Sequence, residues 1–195
     1  MSTKENMGTV RAFIAIEINQ QTKQKITRLI SSLKESDADV RWVTEDQMHF
    51  TLKFLGDIPE DKTLEISDAL KPAAENFNAF EISLAGLDAF PSLDKPRVVW
   101  IGAEKGAEEL KALNVHVENS LEKIGFAKEP RGFKAHLTLG RVKSFKNTQR
   151  LARKIKNTEF NLKDAFRADE ITLFQSTLTP KGAIYAPLAK FSMAQ

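Results

Sequence analysis

A four-residue pattern occurs twice in this chain and is the feature that most restricts how the chain can fold. It reads His49-Phe50-Thr51-Leu52 in the first half and His136-Leu137-Thr138-Leu139 in the second. In a β-strand, residues i and i+2 point to the same face. Each copy therefore predicts a strand with an imidazole and a hydroxyl on one face. The other face carries two apolar side chains that anchor the strand in a core.

The segments around the two copies repeat the same order of elements. Each half of the chain is predicted to run strand, helix, motif strand, helix, strand, beginning with the alternating strand Val10–Ile18. Asn19 is the expected N-cap of the first helix, and Pro72 is expected to end or kink the second. We therefore predict an α+β fold that is bilobal, a pseudo-twofold duplicated unit whose mostly antiparallel sheets line a central cleft.

Composition excludes several classes of function. The 195 residues include no cysteine, which excludes disulfides, thiolate zinc sites and a cysteine nucleophile. No apolar run approaches the roughly 20 residues of a membrane span, and the net charge of +3 is too small for a DNA-binding protein. Residues 1–9 are predicted to be a disordered tail and residues 10–195 a single bilobal domain. We expect a cytoplasmic, monomeric protein that does not bind membranes.

The two motif histidines are suited to proton transfer at phosphorus. Imidazole titrates near pH 6.5, so a neutral histidine can take a proton from water while a protonated one gives a proton to a leaving oxygen. The threonine hydroxyls can donate hydrogen bonds to the non-bridging phosphate oxygens. Because the two motifs are nearly symmetric, they do not show which histidine is the acid.

Paired histidines also occur at metal sites. Zinc and iron sites usually have three or four ligands, with carboxylates or thiolates beside the histidines. Neither motif has an Asp or Glu on the same strand face, so we expect no metal and no other cofactor. The third histidine, His116, falls near the edge of the apolar stripe of a predicted helix and is expected at the surface, outside the site.

Seven segments resemble one known family. They are Arg11–Ile16, Val40–Val43, His49–Gly56, Phe90–Ser92, Pro96–Trp100, His136–Arg141 and Leu178–Tyr185. On these residues the chain is similar to the RNA 2′,3′-cyclic phosphodiesterases, also called the 2′-5′ RNA ligase family, which belong to the 2H phosphoesterases. The resemblance covers essentially the whole chain from Val10.

The resemblance implies a metal-free hydrolase that opens a 2′,3′-cyclic phosphate at an RNA end to a 2′-phosphomonoester. Family members also join RNA ends through a 2′-5′ linkage without ATP. Carried over by motif, His49 would be the proton donor to the departing 3′ oxygen, and His136 would be the base that activates water. Thr51 and Thr138 would hold the phosphate oxygens. The implied partners are RNA ends or oligonucleotides that carry a 2′,3′-cyclic phosphate.

Three further residues are candidates for substrate binding. Arg141 follows the second motif where the family tends to carry arginine, but strict alternation turns it to the other face unless the strand has a bulge or twist at Gly140. Phe13 lies on the less apolar face of the first strand, where it would either stack on a base or pack in the core. Lys53 falls by alternation on the face of the first histidine and threonine. It is either a phosphate ligand or a solvated lysine.

A basic rim is a wider candidate for RNA binding, the alternative being ordinary solvated charges. Its members are Arg131, Lys134, Arg150, Arg153, Lys154 and Lys156. Two other functions also stay open on the sequence. One is a 2H enzyme acting on 2′-5′ oligonucleotides or on a small cyclic nucleotide phosphate. The other is an RNA-end-binding protein with incidental chemistry.

Overall fold

The computed structural model describes residues 8–180 and 182–195. Most of the predicted tail, residues 1–7, lies outside the described residues. The predicted boundary at residue 9 falls within the first strand, β1 (Thr9–Glu17). Gly8 is already attached to the fold, because its carbonyl accepts a hydrogen bond of 2.9 Å from the backbone N–H of Glu60. That residues 10–195 form a single domain stays a prediction.

Within the described residues, nine strands form one sheet, and every pairing between these strands is antiparallel. The remaining strands are β2 (Val40–Trp42), β3 (His49–Pro59), β4 (Phe80–Phe90), β5 (Val98–Ala103), β6 (His136–Val142), β7 (Asn161–Ala168), β8 (Glu170–Thr179) and β9 (Gly182–Ser192). Their order across the sheet is β7-β4-β5-β6-β3-β1-β8-β9, and β2 pairs with β6. Antiparallel pairing is thus confirmed.

The sheet consists of two halves that meet between β3 and β6. Outward from this junction, one half runs β3-β1-β8-β9 and the other β6-β5-β4-β7. Strands are exchanged between the halves of the chain: β4 pairs with β5 in the half-sheet of β6, and β8 and β9 extend the half-sheet of β3 through the pairing of β8 with β1. The predicted duplication with pseudo-twofold symmetry is therefore present, and the exchanged strands join the two units.

Helices cover one face of this sheet. They are α1 (Gln20–Lys34), α2 (Lys62–Glu75), α3 (Ala107–Glu122) and α4 (Thr148–Asn157). Their buried apolar side chains share one core with Phe50, Leu52, Leu137 and Leu139. The helix layer therefore lies against the sheet face that carries the apolar residues of both motifs and leaves the other face for the histidines.

Two local expectations about the helices have different outcomes. Asn19 caps α1 as predicted, since its Oδ1 accepts a hydrogen bond of 2.9 Å from the backbone N–H of Thr22. Pro72 does not itself end α2, which continues to Glu75, and a kink at Pro72 stays a prediction. Proline removes the hydrogen bond to the carbonyl four residues earlier. That residue, Asp68, is exposed, so water can solvate the carbonyl.

Gly140 allows β2 to approach β6 closely. A Cβ built at this position would lie 2.6 Å from Val40 Cγ1 and 2.9 Å from Trp42 Cε3. We expect Gly140→Ala to lower the free energy of unfolding by about 1–3 kcal/mol, the usual cost of overpacking, as measured by chemical denaturation. The control is Gly132→Ala, since no atom lies within 4 Å of a Cβ there. Equal losses in the two variants would contradict this account.

Candidate active site

The two motif strands are neighbours at the centre of the sheet. β3 and β6 are paired with Phe50 opposite Leu137, which is the second residue of the motif in each copy. Both side chains are completely buried on the helix side. The pseudo-twofold axis therefore passes between them, and the residues before and after each one point to the opposite face.

The four polar motif side chains lie together on the face away from the helices. Extending the antiparallel register places His49 beside Thr138 and Thr51 beside His136, so the imidazoles lie on a diagonal. Directly opposite residues in such a pair are about 5 Å apart and diagonal ones about 7–8 Å. We call this surface the motif face and define it by these four residues.

His49 is held by polar contacts and by aromatic rings. Its Nε2 lies 3.1 Å from the Thr51 hydroxyl, and its ring forms a second hydrogen bond to the backbone of Gln47. The Phe13 ring packs 4.9 Å away and the Tyr185 ring meets the imidazole edge-on at 5.3 Å. Burial lowers the pKa of His49 to about 4, although the hydrogen bond to Gln47 acts in the opposite direction. The free protein therefore holds this histidine neutral at pH 7.

His136 has an equivalent arrangement in the other half. Its Nδ1 lies 2.8 Å from the carbonyl of Lys134, again two residues upstream, and the Phe90 ring meets it edge-on at 5.0 Å. Burial lowers the pKa of His136, the hydrogen bond to the carbonyl opposes this shift, and the charges of Lys134 and Arg141 lower the pKa further. A carbonyl acceptor on Nδ1 leaves Nε2 free for proton transfer.

The structure shows that Lys53 was assigned to the wrong face. Leu52 has no partner in β1, so the register shifts there and Lys53 lies opposite Ile14 on the helix side. The Lys53 ammonium is 2.5 Å from the Glu118 carboxylate and donates to the carbonyl of Ala127 at 2.8 Å. A β-bulge interrupts the alternation on which the prediction depended. Lys53 therefore does not reach a phosphate on the motif face.

Phe13 is on the motif face but is not exposed. Its side chain is 2% exposed and stacks on Phe174 at 5.1 Å, in a small cluster with Ala15 and Tyr185. It packs against the His49 ring, so of the two alternatives for Phe13 the structure shows core packing rather than an exposed ring available to a base. The cross-strand partner of Phe13 is Phe54, and the Phe54 side chain is 65% exposed.

Arg141 requires a bulge to reach the motif face, and a bulge is present one residue before the expected position at Gly140. Val99 lies opposite Gly140 and Trp100 opposite Thr138, so Leu139 is the extra residue in β6. The bulge occupies the same motif position as the one at Leu52 in β3. Arg141 is exposed and close enough to His136 for its charge to lower the pKa of that histidine, after the larger effect of burial. Its role in binding stays a prediction.

The predicted basic rim is divided between the two faces of the sheet. α4 buries Leu151 and Ile155 in the core shared with the helices, so its charges lie on the helix side, where Lys154 pairs with Glu35 at 2.5 Å. Lys134 instead lies over the Trp100 ring, 4.0 Å from its centroid, close to His136. His116 is exposed on α3, as predicted.

Four neighbours of the motif histidines were assigned no role from the sequence. They are Glu17, Trp100, Phe174 and Tyr185. Strand alternation already placed Glu17 on the face of Phe13, which was the available signal. The others depend on which strands are neighbours: Trp100 reaches the site because β5 pairs with β6, and Phe174 and Tyr185 because β8 pairs with β1 and β9 with β8.

Among residues 8–180 and 182–195, no group of three or more His, Cys, Asp or Glu side chains is arranged to hold a metal ion. In the same part of the chain, none of the helices has both the length and the apolar character that crossing a membrane requires.

The duplicated antiparallel fold and the paired motifs define a phosphoesterase class. The family model described as LigT like Phosphoesterase matches the chain twice, over residues 16–100 and 101–185. The chain therefore belongs to the LigT-like phosphoesterase family, and the resemblance found in the sequence is confirmed.

Two similar proteins align with nearly the whole chain. The RNA 2′,3′-cyclic phosphodiesterase of Methanothermobacter thermautotrophicus is 35% identical over 184 residues, which is 94% of this chain and 99% of that protein. The protein of the same name from Thermotoga maritima is 34% identical over 179 residues, 92% of this chain and 93% of its own.

Solved structures have the same fold. The protein TT0787 of Thermus thermophilus matches with a TM-score of 0.80 at 24% identity, covering 94% of this chain and 97% of its own. E. coli LigT complexed with 3′-AMP matches with a TM-score of 0.77 at 22% identity, covering 96% and 100%.

Proposed function

We propose that this protein hydrolyses the 2′,3′-cyclic phosphate at RNA ends to a 2′-phosphomonoester. The observation that carries the proposal is the direct pairing of the two motifs, which brings two imidazoles and two hydroxyls onto one face. Relatives at about a third identity over nearly the full length bear the name of this activity, which supports the choice of substrate.

The reaction uses one histidine on each side of the phosphorus. His136 accepts a proton from water as the water oxygen attacks phosphorus. The bond from phosphorus to the 3′ oxygen breaks, and His49 donates a proton to that oxygen. The products are a 2′-phosphate and a 3′-hydroxyl, and proton exchange with solvent restores both histidines.

The remaining groups of the motif face bind the phosphate. Thr51 and Thr138 donate hydrogen bonds to the non-bridging oxygens, where negative charge builds up during attack. Arg141 adds a cation next to His136. A guanidinium in this position can form charge-assisted hydrogen bonds with phosphate oxygens. No step in this sequence requires a cofactor.

The pKa shifts predict a bell-shaped pH profile of kcat/KM whose maximum lies below pH 6.5. Burial lowers the pKa of His49 to about 4, and burial also lowers the pKa of His136 from its ordinary value. Since kcat/KM reports the free enzyme, both limbs lie at low pH. A bound phosphodiester carries negative charge that favours imidazolium, so the limbs of the kcat profile lie at higher pH. Initial rates from about pH 3 to 9, so that the range extends below the pKa of His49, measure both profiles. A kcat/KM maximum at or above pH 7 would contradict these shifts.

Product analysis tests the function directly. A short RNA ending in a 2′,3′-cyclic phosphate is incubated with the protein, and the product is separated from the 2′- and 3′-phosphate standards. A 2′-phosphate supports the proposal, whereas a 3′-phosphate or an unchanged RNA refutes it. Adding a second RNA with a 5′-hydroxyl tests for 2′-5′ joining in the same reaction.

The alternatives predict different results. An enzyme for 2′-5′ oligonucleotides or small cyclic nucleotide phosphates would turn those substrates over faster than the RNA end. An RNA-end-binding protein would bind the RNA tightly and leave every cyclic phosphate intact.

A further inference from the structure

The motif face carries a carboxylate that is not part of either motif. Glu17, the last residue of β1, is the cross-strand partner of His49, and directly opposite residues share a face. Its carboxylate accepts a hydrogen bond of 3.0 Å from Lys190 and lies 3.5 Å from the Thr172 hydroxyl. These contacts hold the carboxylate at the end of β1, on the same sheet face as the imidazole.

Charged and titratable groups approach His49 from four elements. Glu17 comes from β1, Lys23 from α1, His136 from β6 and Tyr185 from β9. Burial has the largest effect and lowers the pKa of His49. Among the charges, Glu17 has the largest effect and raises that pKa, whereas His136 and Lys23 each lower it less. The charge of Glu17 on β1 therefore favours the imidazolium form of His49.

The equivalent position in the other half has no side chain. The partner of His136 in β5 is Gly102, which corresponds to Glu17 under the pseudo-twofold axis. The charges near His136 are the cations Lys134 and Arg141, which oppose its protonation. The two halves therefore differ in the sign of the charge beside each histidine.

We propose that Glu17 is a positioning residue for proton transfer, which stabilises the imidazolium form of His49 and makes this histidine the proton donor. The inference rests on the proposed hydrolysis and assigns acid and base without the family resemblance. Burial acts against the imidazolium form of His49, and the Glu17 carboxylate offsets part of that effect. The cations Lys134 and Arg141 instead add to the effect of burial at His136.

The test is the pH profile of kcat/KM for Glu17→Gln, measured with the RNA 2′,3′-cyclic phosphate. The active form has His49 protonated and His136 neutral. Losing the carboxylate lowers the pKa of His49, so this form becomes less populated and the maximum of the profile falls. We expect a fall of about 3- to 10-fold, which corresponds to half to one unit of pKa, with the acidic limb moved to lower pH. Glu17→Asp restores at least part of the maximum.

A matched control separates this effect from the loss of an ion pair. Glu170 also accepts a hydrogen bond from Lys190, at 2.8 Å, but it is not a partner of His49. We expect Glu170→Gln to keep the wild-type profile. An unchanged maximum in Glu17→Gln, with or without a wider acidic limb, would overturn the proposal. An equal fall in Glu170→Gln would do so as well. Neither of these outcomes would bear on the proposed function, which is upheld if the wild-type protein and Glu170→Gln hydrolyse the RNA 2′,3′-cyclic phosphate.

Discussion

Replacing His49 or His136 with alanine is expected to reduce kcat by at least about 10²-fold, since each supplies general acid or base catalysis. The double variant is expected to be about as slow as the slower single variant, because neither proton transfer helps without the other. The kcat of each single variant and of the double variant is measured with a short RNA that ends in a 2′,3′-cyclic phosphate. Circular dichroism and thermal unfolding confirm that the variants are folded.

The third histidine provides the matched control. His116 is exposed and contacts the edge of Phe77 on the helix side, away from the motif face. His116→Ala is therefore expected to retain wild-type kcat and KM. Near-normal turnover in either motif variant, or strictly multiplicative losses in the double variant, would contradict the two-histidine mechanism.

Glu118→Gln is expected to cause the largest loss of stability, about 3–5 kcal/mol, which is the usual cost of removing one partner of a buried ion pair. Lys53 and Glu118 are 2.5 Å apart, with side chains 6% and 8% exposed. The variant leaves the buried Lys53 ammonium without the negative charge that balances it, since the Ala127 carbonyl and a glutamine amide are neutral acceptors. Denaturant unfolding measures the free energy. Because Lys53 follows the motif in β3, we also expect kcat to fall.

Two further variants make this prediction specific. The double variant Lys53→Met with Glu118→Leu removes both charges and is expected to regain most of the lost stability, since apolar replacements of a buried pair are often neutral. Glu65→Gln breaks the exposed pair between Lys62 and Glu65 on α2 and is expected to cost less than about 1 kcal/mol. A single variant at Glu118 that is no less stable than Glu65→Gln would contradict the account.

Local periodicity explains how much of the fold could be predicted. Strand alternation located β1, β3 and β6, and it placed Phe50 and Leu137 in the core, where both are completely buried. The matching order of elements in each half predicted the duplication, and the tight turns between elements predicted mostly antiparallel pairing. These features depend on neighbours in sequence, and in each motif the bulge comes only at the final leucine, after the histidine and the threonine.

The errors arose where a strand departs from strict alternation or where a distant strand covers a side chain. The bulge at Leu52 turned Lys53 to the helix side, and the equivalent bulge at Leu139 returned Arg141 to the motif face. Phe13 is buried because Phe174 from β8 lies beside it. A single sequence carries no clear signal for either effect, because both depend on inter-strand register.

The sequence alone determined the chemistry available to this protein: two imidazoles and two hydroxyls, each pair on one face of a strand, in a chain without cysteine. Only the tertiary structure decided that the two strands are neighbours and which charges surround each histidine. Glu17 lies beside His49 and Gly102 beside His136 because β1 and β5 pair with the motif strands. The physical reason is that side-chain direction follows from local backbone geometry, whereas electrostatic environment depends on through-space distances between residues far apart in the chain.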